Sequence, residues 1–419
     1  MHPNALLELN AELLRAVLRL DNPADSIVSA FFRQHRALGS RERHTLAETT
    51  YSVLRQRLLF QHLAQSGSGP LERRLAVLGW QGGDASLHAA LAPQEQTWLA
   101  EVDKIDRASL PEKLRHNLPD WLAGPLHEQL GNDFWPLVQA LLQAAPLDLR
   151  VNAVKTKRDE VQKALLEAGI AAEPTPFSPW GLRLHGKPAL NQLDLFTSGA
   201  MEVQDEGSQL LALLTDAKRG EMVVDFCAGA GGKTLALGAA MRNTGRLYAF
   251  DVSGHRLDAL KPRLARSGLS NVHPAQIAHE RDDRIKRLAG KIDRVLIDAP
   301  CSGLGTLRRN PDLKWRQSPK SVQELQAKQA AILAGAARLL KPGGRLVYAT
   351  CSLLAAENEF IAEAFSAERA EEFVPVPAGE ALLAARVDGA ASLCVGPYLR
   401  LWPHQHHTDG FFAAVWQRR

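Results

Sequence analysis

The sequence predicts a multidomain protein in which an all-α N-terminal bundle precedes a small α/β connector and a larger α/β domain. Apolar residues recur at helical spacing in the first part of the chain, whereas short apolar runs alternate with longer helical stretches in the last part. The 419 residues suffice for two or three domains that each bury a core. We predict domains over residues 1–115, 116–200 and 201–419.

Composition narrows the class of protein. The formal net charge of +4 permits a polyanionic partner without requiring one. No run approaches the roughly 20 apolar residues that span a membrane, and no signal peptide precedes the first helix. We therefore expect a cytoplasmic protein, a monomer, with no membrane partner. The four cysteines include no CxxC pair, which predicts neither a disulfide framework nor a metal site: Cys227, Cys301, Cys351 and Cys394.

The N-terminal bundle follows from apolar residues spaced by three and four. The first such face consists of Leu6, Leu9, Leu13, Val17 and Leu20. Similar patterns predict helices over residues 26–32, 41–63 and 71–78, with further helices over 116–145. Six Arg against two Glu between residues 33 and 57 form either a phosphate-binding face or a solvated surface.

Strands begin after Pro146. A strand over 149–152, a helix over 158–168 and a strand over 181–185 predict the small α/β connector. Beyond it the predicted strands are 222–226, 247–251, 294–297, 345–348 and 411–415. Their alternation with helical stretches indicates a parallel sheet covered by helices on both faces.

A loop of small residues follows the first strand of the large domain and brings backbone close to a nucleotide-like ligand. The predicted cofactor-binding residues of this loop are Cys227, Ala228, Gly229, Ala230, Gly231, Gly232 and Lys233. A P-loop would need glycine where Cys227 stands, and a dinucleotide fingerprint would need glycine where Thr234 stands. Asp251 ends the second strand, where a carboxylate either binds ribose hydroxyls or caps a helix.

Two cysteines follow adjacent strands. Asp298 ends the fourth predicted strand shortly before Cys301, and the fifth strand is followed by Cys351. The carboxyl ends of neighbouring strands line one crevice in a doubly wound sheet, so these three side chains should converge. A single buried cysteine is most often a small hydrophobe, but two at these positions, each followed by serine, indicate thiol chemistry.

These segments resemble the RNA cytosine-C5 methyltransferase family over roughly residues 146–419. Further matching stretches are 203–209, 308–315, 339–344, 357–359 and 408–412. The helical N-terminal region is similar to NusB-like RNA-binding domains, so the layout resembles the RsmB branch, which methylates 16S ribosomal RNA. The resemblance implies a Rossmann-like class I methyltransferase domain over 201–419, with S-adenosyl-L-methionine as cofactor and ribosomal RNA as partner.

The resemblance also implies roles for individual residues. Cys351 is the nucleophile that adds to cytosine C6, and Cys301 assists release. Asp298 bonds the base near N3 and its amino group, and also touches the cofactor. The resemblance does not name the group that favours the thiolate of Cys351. Lys233 and the pair Arg308 and Arg309 are candidates, although each could equally bind phosphate or face water. The residues expected to meet RNA are Arg308, Arg309, Lys314 and Trp315. Without the family pattern, packing in the core is an equal alternative for Trp315.

The sequence departs from the family pattern in two places. The family loop usually reads Cys-Ala-Ala-Pro-Gly-Gly-Lys, whereas Gly229 and Ala230 stand here in place of the Ala-Pro pair and predict a more flexible loop. The aspartate that commonly follows the third strand is missing near His279, where Glu280 or Asp282 could substitute.

Other functions stay open at this point. The same chemistry on transfer RNA is the nearest alternative, and an inactive RNA-binding assembly factor is an alternative of another class. The retained Cys301 and Cys351 argue against the inactive factor, because binding alone needs neither thiol. An amino-methyltransferase is disfavoured by the thiol of Cys301 where an aromatic residue would stack the base, and a dehydrogenase by the missing third glycine.

Overall fold

A computed structural model describes residues 1–419. The chain divides into two units, Met1–Ala144 with Thr306–Pro319 and Ala145–Gly305 with Lys320–Arg419. The three domain ranges 1–115, 116–200 and 201–419 stay a prediction. None of the helices combines the length and the apolar composition needed to cross a membrane.

Helices make up most of the first unit and cover the sheets of the second. The helices are α1 Pro3–Val17, α2 Ala24–Gln34, α3 Ser40–Arg55, α4 Arg57–Leu63, α5 Leu71–Gly79, α6 Asp84–Ala90, α7 Pro93–Asp103, α8 Glu112–His116, α9 Asp120–Leu130, α10 Phe134–Leu141, α11 Arg158–Glu167, α12 Asp194–Thr197, α13 Glu206–Thr215, α14 Gly232–Ala240, α15 Gly254–Ser267, α16 Asp283–Lys286, α17 Leu313–Arg316, α18 Pro319–Ala337, α19 Glu359–Glu368, α20 Ala378–Ala384 and α21 Pro403–His406. Short 3-10 segments lie at Ala64–Ser66, Arg107–Ser109, Gly131–Asp133, Leu304–Thr306, Ala355–Glu357 and Ala390–Leu393.

In the first unit α1 is the central helix because both of its sides are apolar. Leu6 and Leu13 pack in one buried cluster with residues of α2 and α3, whereas Leu7 and Leu14 pack in a second cluster with residues of α4 and α5. The predicted apolar face accounts for the first cluster only. The all-α N-terminal bundle predicted from the spacing is confirmed.

The helix predicted over 41–63 is wrong at one point, because it is two helices. Gln56 separates α3 from α4, with φ −113° and ψ 30° outside the α region. The backbone N–H of Leu59 donates to Oδ1 of Asn117 over 3.1 Å. A side chain distant in sequence thus satisfies the start of α4, which an apolar period cannot reveal.

The segment Thr306–Pro319, which we call the inserted segment, belongs to the first unit although it lies far along the chain. Trp315 Nε1 donates to the carbonyl of Leu54 over 3.0 Å, and Lys314 Nζ donates to the carbonyl of Arg55 over 2.8 Å. Arg55 Nη2 in turn donates to the carbonyl of Arg308 over 2.9 Å. These bonds attach the segment to the end of α3.

The structure buries part of the set that is expected to meet RNA. Lys314 is only 3% exposed, Arg308 is also buried, and Trp315 and Arg309 are half-buried. Burial and the charge of Arg55 lower the pKa of Lys314 to about 7. A Lys-Trp pair near two arginines is typical of a nucleic-acid surface. Here Lys314 and Trp315 instead donate to backbone carbonyls of residues some 260 positions earlier in the chain.

We predict that Lys314→Met changes how stability depends on pH. An unfolded lysine has a pKa near 10.4, so between pH 7 and pH 9 the unfolded wild type binds more protons than the folded one, and its stability rises with pH. The free energy of unfolding of wild type minus that of the variant should grow by on the order of 2 kcal/mol over this window, measured by urea titration. Lys320→Met, at a lysine whose side chain is 86% exposed, is the control and should show no such trend. A flat difference for Lys314→Met would contradict the buried, neutral lysine.

The second unit contains two sheets. The strands are β1 Leu147–Val151, β2 Ala172–Pro174, β3 Gly181–Leu184, β4 Met201–Val203, β5 Met222–Asp225, β6 Arg246–Asp251, β7 Val272–Gln276, β8 Ile292–Asp298, β9 Leu340–Thr350, β10 Phe373–Val376, β11 Cys394–Val395, β12 Tyr398–Leu401 and β13 Phe411–Arg418. The small antiparallel sheet has the order β2-β3-β1-β4 and contains both predicted connector strands.

The large sheet has the order β11-β12-β13-β9-β8-β5-β6-β7, and β10 also pairs with β13. The five strands from β9 to β7 are parallel, as predicted, whereas β13 runs antiparallel to β9 and makes the sheet mixed. The chain passes from β5 outward to β7 and then returns to β8 on the other side of β5. This reversal opens a ligand crevice at the carboxyl ends of β5 and β8.

The strand predictions were correct in place, but four of the five strands extend beyond the predicted bounds and β5 ends one residue before its predicted end. All five predicted strands exist, and β9 continues back to Leu340 through a Pro-Gly-Gly sequence that is typical of a turn. No bounds were predicted for β7, which contains Pro274. Proline is tolerated there because β7 is an edge strand, with one side that needs no ladder hydrogen bonds.

Candidate active site

The loop between β5 and α14 is folded by backbone bonds. The N–H of Ala228 donates to the carbonyl of Phe250 in β6, and the N–H of Gly231 donates to the carbonyl of Ala228, each over 2.8 Å. Gly229 and Gly231 have φ of 55° and 81°, in the left-handed region that favours glycine. Although the proline of the family pattern is missing, the loop is pinned to β6 and turns directly into α14.

Asp251 holds this loop from the end of β6. Its Oδ2 accepts from the N–H of Gly229 over 2.8 Å, and its Oδ1 accepts from the N–H of Ser253 over 2.7 Å. The next residue, Val252, is an apolar side chain left 52% exposed beside the carboxylate. Sequence analysis missed Val252, although an apolar residue directly after a strand-end acid is a readable signal.

A cavity of about 620 Å³ lies at the carboxyl end of β7, lined by Gln276, Ile277, Ala278, Asp282, Asp283, Arg284 and Arg287. Asp282 accepts from the N–H of Ala278 through Oδ2 and from that of Arg284 through Oδ1, each over 2.9 Å. Both oxygens thus already cap backbone amides. Glu280 instead lies 3.6 Å from Nε of Arg281. The structure gives neither carboxylate a distinct place as the missing acid.

A buried ion pair joins the loop to the end of β8. Lys233 Nζ lies 2.7 Å from Oδ2 of Asp298, and the lysine is almost fully buried. Burial alone would lower the pKa of Lys233, but the charge and hydrogen bond of Asp298, followed by the charge of Cys351, outweigh it and raise the pKa. Lys233 is therefore held as a cation close to both Asp298 and Cys351.

A second acid, Asp225, ends β5 beneath the loop and was not among the predicted site residues. It is 1% exposed, and its Oδ2 accepts from Oγ1 of Thr234 over 2.7 Å. Burial raises the pKa of Asp225 to about 7, against the opposing hydrogen bond from Thr234. The bond between Asp225 and Thr234 could not be predicted from the sequence, because no known motif pairs an acid at a strand end with a helical threonine nine residues later.

The two predicted thiols do converge. Sγ of Cys301 lies 3.4 Å from Sγ of Cys351, in loops that follow β8 and β9. The hydrogen bond to Cys351 and burial, followed by the charges of Cys351 and Glu357, raise the pKa of Cys301 well above its ordinary range. Burial likewise raises the pKa of Cys227. Cys394 belongs to β11 and bonds the carbonyl of Ala390.

The backbone after Cys351 is fixed by residues that sequence analysis did not assign. Asn358 accepts from Oγ1 of Thr350 over 2.5 Å and donates to the carbonyl of Ser352 over 3.0 Å. Arg400, also buried, donates to the same carbonyl over 3.2 Å. Burial lowers the pKa of Arg400 to about 10, against the charge of Glu359. The loop that begins at Cys351 is therefore held in place by hydrogen bonds from buried side chains.

We predict different costs for two glycine substitutions in the loop. A Cβ on Gly231 would lie 2.1 Å from Cδ1 of Leu260, whereas a Cβ on Gly229 would meet nothing within 4 Å. Gly231→Ala should lower the free energy of unfolding by about 2–4 kcal/mol, from strain and overpacking together. Gly229→Ala should cost only about 1 kcal/mol, from the positive φ. Urea titrations of both variants check this, and equal costs would contradict the described loop.

The chain is similar to known methyltransferases over its whole length. Residues 212–417 match the family described as 16S rRNA methyltransferase RsmB/F, and residues 118–191 match the ferredoxin-like domain of RsmF/B-like methyltransferases. The probable ribosomal RNA small subunit methyltransferase B of Synechocystis sp. is 32% identical, over 96% of this chain and 97% of that protein. The ribosomal RNA small subunit methyltransferase B of Pasteurella multocida is 34% identical, over 77% of this chain and 68% of that protein.

A solved structure supports the same relation. The crystal structure of PH0851 superposes with a TM-score of 0.80 and 26% sequence identity, covering 100% of this chain and 99% of that one. The resemblance predicted from the sequence motifs is thus confirmed over both units, including the helical N-terminal region. The chain belongs to the 16S rRNA methyltransferase RsmB/F family.

Proposed function

We propose that the protein transfers a methyl group from S-adenosyl-L-methionine to C5 of a cytosine in 16S ribosomal RNA through a covalent bond between Cys351 and C6. The observation that carries the proposal is the pair of sulfur atoms 3.4 Å apart beside the ion pair of Lys233 and Asp298. Pure RNA binding needs neither the thiols nor a buried cation next to them. The relatives named as small subunit methyltransferases support ribosomal RNA as the substrate class.

The loop after β5 fits S-adenosyl-L-methionine. The side of Gly229 where a Cβ would stand is open, so a ligand can approach the backbone of the loop closely. Each oxygen of Asp251 accepts one backbone N–H and keeps a second lone pair, so this carboxylate at the end of β6 would accept from the ribose hydroxyls. Val252 offers an exposed apolar surface for the adenine. Residues 227–233 and Asp298 would line the rest of the site. The bound cofactor supplies an electrophilic methyl group on a sulfonium.

Cys351 begins the reaction on the RNA base. Its thiolate adds to C6, the C5–C6 double bond opens, and the electron pair makes C5 a nucleophile. Lys233 is a buried cation whose charge interacts with that of Cys351, so it would stabilise the attacking sulfur. Asp298, held by Lys233, would orient the base at its N3 and amino edge.

Cys301 would act on release. The adduct breaks down when a base such as water takes the proton from C5 and the freed electron pair forms the C5–C6 double bond again. The bond between C6 and the sulfur of Cys351 then breaks, and its electron pair returns to the sulfur. A raised pKa keeps the proton on Cys301, and its S–H can stabilise the sulfur of Cys351 as that bond breaks. The two thiols thus have different tasks.

RNA binding is proposed for the helical N-terminal region, with a NusB-like role for residues 1–115. The target cytosine must be unpaired or flipped out, because C5 and C6 are inaccessible in a stacked helix. Contact with RNA stays a prediction for Arg308, Arg309, Lys314 and Trp315. Three arginines of the predicted basic face, which the structure leaves exposed, have a better surface position: Arg33, Arg36 and Arg41. The reaction fits a cytoplasmic monomer.

We predict that Cys301→Ala accumulates a covalent complex with RNA, because attack by Cys351 survives while release is impaired. The variant incubated with 16S ribosomal RNA and cofactor should show a band that resists denaturing electrophoresis, and Cys351→Ala in the same chain should abolish it. Cys394→Ala is the matched control, because that thiol lies in β11 and bonds a backbone carbonyl. If the complex persists without Cys351, then Cys351 is not the nucleophile, and the roles assigned to the two cysteines must be exchanged or abandoned.

The substrate is tested by bisulfite sequencing of total RNA from cells with and without the gene. Loss of one protected cytosine in 16S ribosomal RNA is the expected result. Loss of a protected cytosine in transfer RNA would mean that the enzyme performs the same reaction on transfer RNA. If no protected cytosine is lost, an RNA-binding assembly factor without activity is favoured.

A further inference from the structure

Glu357 is a carboxylate enclosed in the fold between the two cysteine loops. It ends the 3-10 segment Ala355–Glu357, six residues after Cys351, and is 0% exposed. An ionised carboxylate removed from water is costly unless donors surround it. A residue of this kind in the core of an enzyme needs an explanation by its contacts.

Four uncharged donors reach the two oxygens of Glu357. Oε1 accepts from the N–H of Ser302 over 2.8 Å and from Nε2 of Gln329 over 3.0 Å. Oε2 accepts from Oγ of Ser302 and from Oγ of Ser352, each over 2.5 Å. The carboxylate is thus satisfied by one backbone amide, one side-chain amide and two hydroxyls.

These donors come from both thiol loops. Ser302 directly follows Cys301, and Ser352 directly follows Cys351. Their hydroxyl oxygens lie 3.2 Å apart, on either side of one carboxylate oxygen. Gln329 adds a third tie, because its Nε2 also donates to the carbonyl of Pro300 over 3.0 Å. The repeated Cys-Ser pattern of the two loops therefore has a physical reason in a shared acceptor.

We propose that Glu357 is a positioning residue that holds the Cys301 and Cys351 loops in register through Ser302 and Ser352. It contacts neither sulfur as a hydrogen-bond partner and acts through the backbone of the two loops. The inference rests on the proposed function and adds to it the group that sets the distance between the two thiols. A neutral acceptor of the same shape can replace part of this network, whereas a methyl group cannot.

The carboxylate has a second effect on the pair. Its negative charge adds to the hydrogen bond that Cys301 makes to Cys351 and to burial in raising the pKa of Cys301. Tyr348 donates to the backbone carbonyl of Glu357 over 2.7 Å and is itself fully buried. Glu357 thus also favours a protonated Cys301 beside the proposed nucleophile Cys351.

The test compares Glu357→Ala, Glu357→Gln and the double variant of Ser302→Ala with Ser352→Ala. Glu206→Gln is the matched control, because Glu206 is another fully buried carboxylate of the same unit, which accepts from the N–H of Phe177 and that of Ser178. It reports what the loss of a buried carboxylate does to folding alone. Thermal unfolding confirms that each variant folds.

Thiol proximity is read with phenylarsine oxide, whose arsenic bonds two sulfur atoms with release of water only when they lie close together. Glu357→Ala should bind the reagent at Cys301 and Cys351 about tenfold more slowly, and its kcat for methyl transfer should fall about a hundredfold with little change in KM for the cofactor. The double serine variant should show the same two losses, less strongly. Glu357→Gln should recover part of both, and Glu206→Gln should show neither.

Two results would overturn the proposal. One is a folded Glu357→Ala whose kcat and arsenical reaction match the wild type. The other, if that variant does not fold, is a Glu357→Gln and a double serine variant that both match the wild type. The arsenical reaction needs neither RNA nor cofactor, so it still tests the positioning role if the wild type fails to make 5-methylcytidine. Failure of the proposed function and failure of this inference are thereby distinguishable.

Discussion

The pairing of β8 with β9 places the two cysteines next to each other, and the chemistry of the crevice depends on it. Asp298 faces Ala349 in the register of the two parallel strands, and the N–H of Ala299 donates to the carbonyl of Ala349 over 2.8 Å. The loops that follow β8 and β9, which carry Cys301 and Cys351, therefore begin at the same level of the sheet. A further bond from the N–H of Gly305 to the carbonyl of Cys351, also 2.8 Å, keeps the loops together beyond the strands. The register of these parallel strands thus brings Cys301 and Cys351, which are 50 positions apart in the sequence, into contact.

Charge is distributed unevenly around that pair. A buried cation, Lys233, stands near Cys351, and a buried carboxylate, Glu357, stands behind the loop of Cys301. Both groups are shielded from water, so screening weakens their effects less than it would at a surface. The arrangement puts a cation near the thiol that we propose as the nucleophile, and it favours protonation of Cys301, which suits the assisting role proposed for that thiol.

Sequence reasoning located the crevice well because the rules of doubly wound sheets tie function to strand ends. The loop at 227–233, Asp251, Asp298 and both thiols lie where the pattern predicted. It located poorly what depends on distant contacts. Lys314 and Arg308 look like RNA ligands by type, yet backbone carbonyls of Arg55 and Ala144 accept their hydrogen bonds. Glu357 lies in the matching stretch 357–359, but the sequence assigns no role to it or to Asp225, because their partners come from other elements.

The central claim is that Cys351 forms the covalent bond to the base, and one measurement addresses it directly. RNA in which 5-fluorocytidine replaces cytidine has no proton to lose from C5, so the adduct formed with cofactor present cannot break down. Nuclease and protease digestion followed by mass spectrometry then identifies the modified peptide. We expect the nucleotide mass, with one added methyl group, on the peptide that contains Cys351. The same mass on the Cys301 peptide, or no trapped adduct from an RNA that the enzyme otherwise methylates, would contradict the claim.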